Sequence, residues 1–170
     1  EAHRDYLNAG ADVIETNTFG ANAFKLAPHG LAAKVQEINY QGALLARSVT
    51  KEIAFVAGSV GPIGLPLEPL GRLAQDEAKD AFKAQVKGLL EGGVDLVVLE
   101  TFSSIVELVL AVRAVRELDA DIPLIAHVTI NSEGNLLSGE PLERFVEAVS
   151  QHAVDAIGLN CSEGPRLMLE

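Results

Sequence analysis

The stretch "GGVDLVVLET", residues 92–101, decides the architecture. Two glycines break whatever helix precedes them. An aspartate follows, then an apolar run without alternation, and the run stops abruptly at Glu100 and Thr101. A half-exposed strand would alternate polar and apolar residues. A continuous run of this length reads as a strand covered on both faces, as in a parallel sheet sandwiched by helices. The same plan recurs in "AGADVIET" (9–16) and "HAVDAIGLNC" (152–161). Each has a small or helix-ending residue, an aspartate (Asp12 or Asp155), an apolar run and a polar end. With "FVAGSVG" and "PLIAHVTI", the chain offers five strands, at 11–17, 55–61, 94–100, 123–130 and 155–161.

Helical spacing fills the gaps. Between 31 and 50 the inner face is expected from Leu31, Val35, Ile38, Gly42, Leu45 and Val49. Between 76 and 92 it is Ala78, Phe82, Val86, Leu89 and Leu90, with Asp76 as N-cap and Gly92–Gly93 as the stop. Ile105, Leu108, Val109, Val112 and Val115 form the next face, capped by Ser103 or Ser104. Leu142, Phe145, Val146 and Val149 form the last, with Pro141 in the first turn. Strand–helix alternation of this kind builds either a (β/α)8 barrel or an open doubly wound sheet. No glycine-rich dinucleotide fingerprint follows any strand, which favours the barrel. Eight units of this size need about 270 residues, near the size of such a barrel, so the chain supplies about five of the eight. It opens mid-helix at "EAHRDYLNAGAD" and closes on a helix start at "RLMLE", so it is read as an interior segment of a longer protein.

Composition narrows the partners. With 24 acidic residues against 13 basic, the net charge is −11, which opposes binding to phosphate backbones and anionic lipid. No apolar run approaches the roughly 18 residues of a membrane span, and no signal peptide is visible. A single cysteine leaves no internal disulfide framework and points to a reducing, cytoplasmic setting.

In a barrel the chemistry gathers at the C-terminal ends of the strands. Those ends read Glu15-Thr16-Asn17-Thr18, Ser59 with Gly61, Glu100-Thr101, Thr129 with Asn131, and Asn160-Cys161-Ser162. A carboxylate there can hold an ammonium group, or it can cap the helix that follows. A cysteine there can bind a soft metal, or it can serve as a small apolar filler. The "ETNT" polar groups can face a ligand or simply form a turn. "GPIGLPLEPLG" (61–71) reads as a loop over the mouth and makes a poor phosphate cradle, because prolines lack amide donors. His3, His29 and His152 fall on helix or loop positions. His127 falls inside a strand and is expected to be hydrogen-bonded there. A zinc site usually needs three protein ligands, which these residues do not complete.

Four segments together carry a resemblance: "GADVIETNTFGAN" (10–22), "VAGSVGPIG" (56–64), "EGGVDLVVLETF" (91–102) and "GLNCSEGP" (158–165). The chain resembles the homocysteine S-methyltransferase family, the zinc-dependent barrels of methionine synthase and betaine–homocysteine methyltransferase type. The tracts "ETNTFGANAFKLAPHGL" and "ETFSSIVELVLAVRAVRE" look nearest to bacterial bifunctional members that add a methylenetetrahydrofolate reductase domain.

The resemblance implies an incomplete (β/α)8 barrel comprising about strands 2 to 6, with residues 1–170 forming part of a homocysteine-binding domain. It implies methyl transfer to the zinc-bound thiolate of homocysteine, giving methionine. It places Cys161, in the G-[LVI]-N-C motif ending the sixth strand, as one of three zinc ligands; the other two are an adjacent cysteine pair beyond this sequence. It sets Glu100 against the substrate amino group, with Asn17, Thr18 and Asn160 as further substrate-side residues, and gives His127 no role. The donor is of the methyltetrahydrofolate/methylcobalamin or S-methylmethionine kind. FAD is expected only in a downstream reductase domain. Two other readings stay open: a barrel enzyme without zinc, of aldolase or pterin-binding type, and an inactive barrel fragment.

Overall fold

The computed structural model describes residues 1–51, 53–162 and 164–169, the side chain of Leu167 excepted. Glu163 and Glu170, within the "GLNCSEGP" and "RLMLE" segments, lie outside the described residues. Five strands form one sheet: β1 (Val13–Glu15), β2 (Phe55–Val60), β3 (Leu96–Phe102), β4 (Leu124–Val128) and β5 (Ala156–Leu159). Every neighbouring pair is parallel, and the spatial order is the sequence order, β1-β2-β3-β4-β5. A doubly wound sheet must reverse its order at a switch point. Uninterrupted sequential order is the arc of a (β/α)8 barrel.

Seven α-helices accompany the strands among the described residues: α1 (Ala2–Asn8), α2 (Ala23–Leu26), α3 (Val35–Thr50), α4 (Gln75–Glu91), α5 (Ile105–Leu118), α6 (Leu142–Val149) and α7 (Pro165–Leu169). None is long and apolar enough to cross a membrane. The expected boundaries hold to within a few residues, with two differences at helix starts. Asp76 lies in the first turn of α4, not at its N-cap, which is Ala74; Glu77 accepts from the Ala74 amide at 3.3 Å. Pro141 is the extended N-cap of α6, just ahead of its first turn. Ser104 caps α5, accepting from the Glu107 amide at 3.4 Å. At the other end of α4, Gly93 takes φ +81°, a left-handed turn that glycine adopts without strain.

Partners in a parallel ladder face the same side, so the register sorts the two faces. Phe55, Ala57 and Ser59 on β2, Leu96 and Val98 on β3, Ile125 and His127 on β4, and Ala156 and Gly158 on β5 share the barrel's inner face. Val56, Val97, Leu99, Leu124, Ala126 and Val128 turn outward and are fully buried under the helices. Phe82 of α4 and Phe102 of β3 meet there, with ring centroids 5.9 Å apart.

The inner stripe of α3 differs from the expectation. Val35, Asn39, Ala43, Ala46 and Thr50 are buried, while Leu45 is 61% exposed. The cause is close packing against α4. A Cβ on Gly92 would stand 2.5 Å from Cβ of Ala43, and one on Gly88 would stand 2.4 Å from the Gln36 carbonyl. Small residues let the two backbones approach, so the contact face is marked by size rather than by hydrophobicity.

Two of the three repeated aspartates have a shared job. Asp95, at the entry to β3, accepts from the Val56 amide at 2.7 Å and pairs with Arg47 of α3 at 2.7 Å. Asp155, at the entry to β5, accepts from the Leu124 amide at 2.8 Å and pairs with Arg116 of α5 at 3.1 Å. Each carboxylate thus satisfies an amide at the start of the preceding strand and clips it to a helix. Asp95→Ala is expected to lower unfolding free energy by about 1–3 kcal/mol, the cost of stranding a part-buried donor. The more exposed Asp155 should cost less, because water can replace it. Urea denaturation of the full chain measures both, and an unchanged midpoint for Asp95→Ala would refute the clip.

Candidate functional site

The site is built around an irregularity in β3. Pairing with β4 passes from Leu99↔Ala126 to Phe102↔Val128, so β3 spends three steps where β4 spends two. This is a β-bulge with Glu100 and Thr101 inside it. Regular alternation would send Thr101 outward behind Glu100. The bulge instead brings both to the mouth and returns Phe102 to the core, where it is fully buried. Thr101 reaches this position with φ +63°.

Glu100 is half-buried and held from two sides. Ser59 Oγ donates to its Oε1 at 2.5 Å, and Asn160 Nδ2 donates to its Oε2 at 3.2 Å. It does not cap the following helix. An ionised carboxylate offers about four acceptor positions, so capacity remains for an incoming donor. Asn160, at the end of β5, also donates from Nδ2 to Thr101 Oγ1 at 2.9 Å, and its Oδ1 accepts from the Thr101 amide at 3.0 Å. Asn160 is therefore a strut between β3 and β5. Cys161 follows it, exposed, with Sγ 3.5 Å from Thr101 Oγ1. Cys161 and Ser162 both have positive φ, +59° and +45°, and the Ser162 hydroxyl donates to the Ile130 carbonyl. One connected chain thus runs Ser59–Glu100–Asn160–Thr101–Cys161.

The "ETNTF" segment borders this chain. Thr18 is buried: its hydroxyl donates to the Ser59 carbonyl at 2.8 Å and meets Thr16 Oγ1 at 2.6 Å, and Thr16 Oγ1 accepts from the Ser59 amide at 3.0 Å. Thr18 therefore braces the strand carrying Ser59, while Asn17 is exposed beside it. Two buried helix residues fix the turn from behind. Gln85 of α4 donates to the Thr18 carbonyl at 2.7 Å, and Asn39 of α3 donates to the Ala21 carbonyl at 2.8 Å. Neither was singled out from the sequence; the available signal was a polar residue on each helix's inward face.

The mouth is acidic. Burial raises the Glu15 carboxyl above its ordinary range, and the Glu100 charge adds to that. Burial lowers the His127 imidazole, opposed by the Glu100 charge. The His127 imidazole makes no hydrogen bond among the described residues, contrary to expectation; its ring lies over Gly158, where an added Cβ would stand 2.9 Å from Cδ2. Nearby carboxylates favour a cationic ligand group here.

Zinc can be tested against these residues. Cys161 suits one ligand position, being a soft donor exposed at the mouth beside the Thr101 hydroxyl. Among the described residues, no group of three His, Cys, Asp or Glu side chains gathers to hold an ion.

The 61–71 loop packs against the start of α5, enclosing with Ser103, Ser104 and Ser138 a cavity of about 440 Å³. Glu107, only 6% exposed, anchors it by accepting from the Ile63 amide at 2.7 Å. Burial raises the Glu107 carboxyl, against the Ile63 bond and the Lys25 charge. With a raised folded-state value, the native state binds more protons than the unfolded chain just above the ordinary carboxylate range. Stability then falls as pH rises through that window. Glu107→Gln keeps an acceptor and is expected to flatten this fall. Urea midpoints at pH 4.5 and 7 for both proteins measure it, and parallel profiles would refute it.

Comparisons with known proteins bear on the family and the fold. The family model described as Homocysteine S-methyltransferase matches residues 1–170. The methionine synthase of Mycobacterium leprae (strain TN) is 38% identical over 99% of this chain, and that of Mycobacterium tuberculosis (strain ATCC 25618 / H37Rv) is 37% identical over 99%. The chain spans 15% of the length of each. Among solved structures, the metallated form of the homocysteine methyltransferase MmuM from Escherichia coli superposes with a TM-score of 0.81 at 25% identity, covering 94% of this chain and 61% of that one. The oxidized form gives 0.82 at 24% identity, covering 94% and 60%. A match along every residue, with the expected barrel arc, establishes that the chain belongs to the homocysteine S-methyltransferase family.

Proposed function

We propose that the protein containing this chain transfers a methyl group to the sulfur of homocysteine, forming methionine, and that residues 1–170 are part of its homocysteine-binding barrel domain. The observation that carries this reading is the joined pair at the mouth: a carboxylate and a thiol, Glu100 and Cys161, linked through Asn160 and Thr101. Homocysteine carries an ammonium group and a thiol a few bonds apart, and this pair offers a complement to each.

Glu100 accepts from the substrate ammonium, using lone pairs that Ser59 and Asn160 leave free. Ser59 and Asn160 hold the carboxylate at a fixed angle, so the amino acid arrives oriented, and orientation lowers the entropic part of the barrier. Asn17 stands exposed on the adjoining segment for a further substrate contact, and Thr18 supports that segment from within. Cys161 would supply one thiolate to a zinc ion. The chemistry such an ion would supply is a lowered thiol pKa, so that the homocysteine sulfur would be nucleophilic near neutral pH. The sulfur lone pair forms the new S–CH3 bond as the bond from methyl to donor breaks, the donor leaving with that electron pair. The chemistry of the chain does not select among methyl donors.

In the full-length protein, Cys161→Ser is expected to lose most bound zinc and homocysteine methylation. Glu100→Gln is expected to raise KM for homocysteine on the order of tenfold, as when a charge-assisted hydrogen bond is lost. Metal analysis and steady-state kinetics measure these. Retained zinc with undiminished methylation in Cys161→Ser would reject the ligand role, whereas a wild-type full-length protein that purifies without zinc would favour a barrel enzyme of another kind.

A further inference from the structure

Thr101 is held in a backbone conformation that its side chain disfavours. A β-branched side chain at φ +63° is strained, and glycine is the usual occupant of such a bulge position. Residues kept in such conformations cluster where their side chains are used.

The use can be read from the hydrogen bonds. The Thr101 amide donates to Asn160 Oδ1, which fixes which end of the Asn160 amide is which. Nδ2 then donates into Thr101 Oγ1 at 2.9 Å. With that oxygen already accepting, its own proton is free to point elsewhere, and Cys161 Sγ lies at 3.5 Å, an ordinary distance for a bond to sulfur. We propose that Thr101 is a positioning residue: its hydroxyl donates to the Cys161 thiolate and ties it to the Asn160 strut that also holds Glu100. The proposal rests on the reading of Cys161 as a zinc ligand. A hydrogen bond to a ligating sulfur fixes its direction and draws charge from it, as outer groups around metal ligands do. It also sets the spacing between the sulfur and ammonium positions through one rigid unit.

The test uses the full-length protein with three substitutions. Thr101→Val keeps the branched shape and removes the donor. Thr101→Ser keeps the donor. Thr101→Gly removes the donor and relieves the backbone, so it remains informative if the valine variant fails to fold. Zinc affinity is measured by chelator competition, and the cobalt(II)-loaded proteins are compared through their thiolate-to-metal charge-transfer band. Val and Gly should weaken zinc binding about tenfold. They should also move the band to lower energy, because an unbonded sulfur gives up charge more readily. Ser should match the wild type in both. A band and affinity unchanged in Val and Gly would overturn the proposal, and so would a Ser variant that shifts like Gly. Failure of the underlying reading looks different: Cys161→Ser would itself retain zinc and the wild-type band.

Discussion

Side chains on a strand alternate between faces, so a regular β3 could send only one of two adjacent residues to the barrel mouth. The extra residue at Glu100–Thr101 removes that restriction. Everything at the site depends on it. Glu100 reaches Ser59 on one side, Thr101 reaches Cys161 on the other, and Asn160 closes the gap because both are present at one level. Phe102 and Phe82, locked in the core, hold the strand beyond the bulge.

The scaffold behind the mouth is polar where barrels are usually apolar. Thr16, Thr18, Asn39 and Gln85 are all nearly or fully buried. Each is spent on a carbonyl, an amide or a neighbouring hydroxyl of the β1 exit or the β2 end. Loops after barrel strands otherwise move easily. Here directional bonds from two helices fix one of them, so the inner carboxylates, Glu15 and Glu100, face a defined space despite their mutual repulsion.

Much of this was legible in the sequence. Strands buried on both faces announce themselves as continuous apolar runs, and the polar residues that end them, Glu100 and Cys161 among them, fall at the mouth as the barrel rule requires. The bulge was not legible, because an added residue leaves no mark in an apolar pattern that has already ended. Nor was the true inner stripe of α3: Ala43 and Ala46 carry little hydrophobic signal, yet both are fully buried, and Ala43 lies where Gly92 at the end of α4 comes close. Thr101 looked like one polar residue among several, since its importance comes from a backbone angle and a cross-strand partner 59 positions away.

The aspartate clips recur, but not at every strand. They join β2 to β3 and β4 to β5, while at the entries of the intervening pairs a backbone carbonyl does the joining, as between Asp12 and Phe55 or Pro123 and Val97. The structural period is therefore two β/α units, not one. Each pair carries its own arginine, aspartate and strand amide, tied across sequence separations of 31 to 48 residues, the outer limit being Arg47 to Asp95. A quarter of a barrel is thus the smallest piece of this architecture that holds a complete clip. Cutting the chain within such a piece would sever a clip that cutting between pieces would spare.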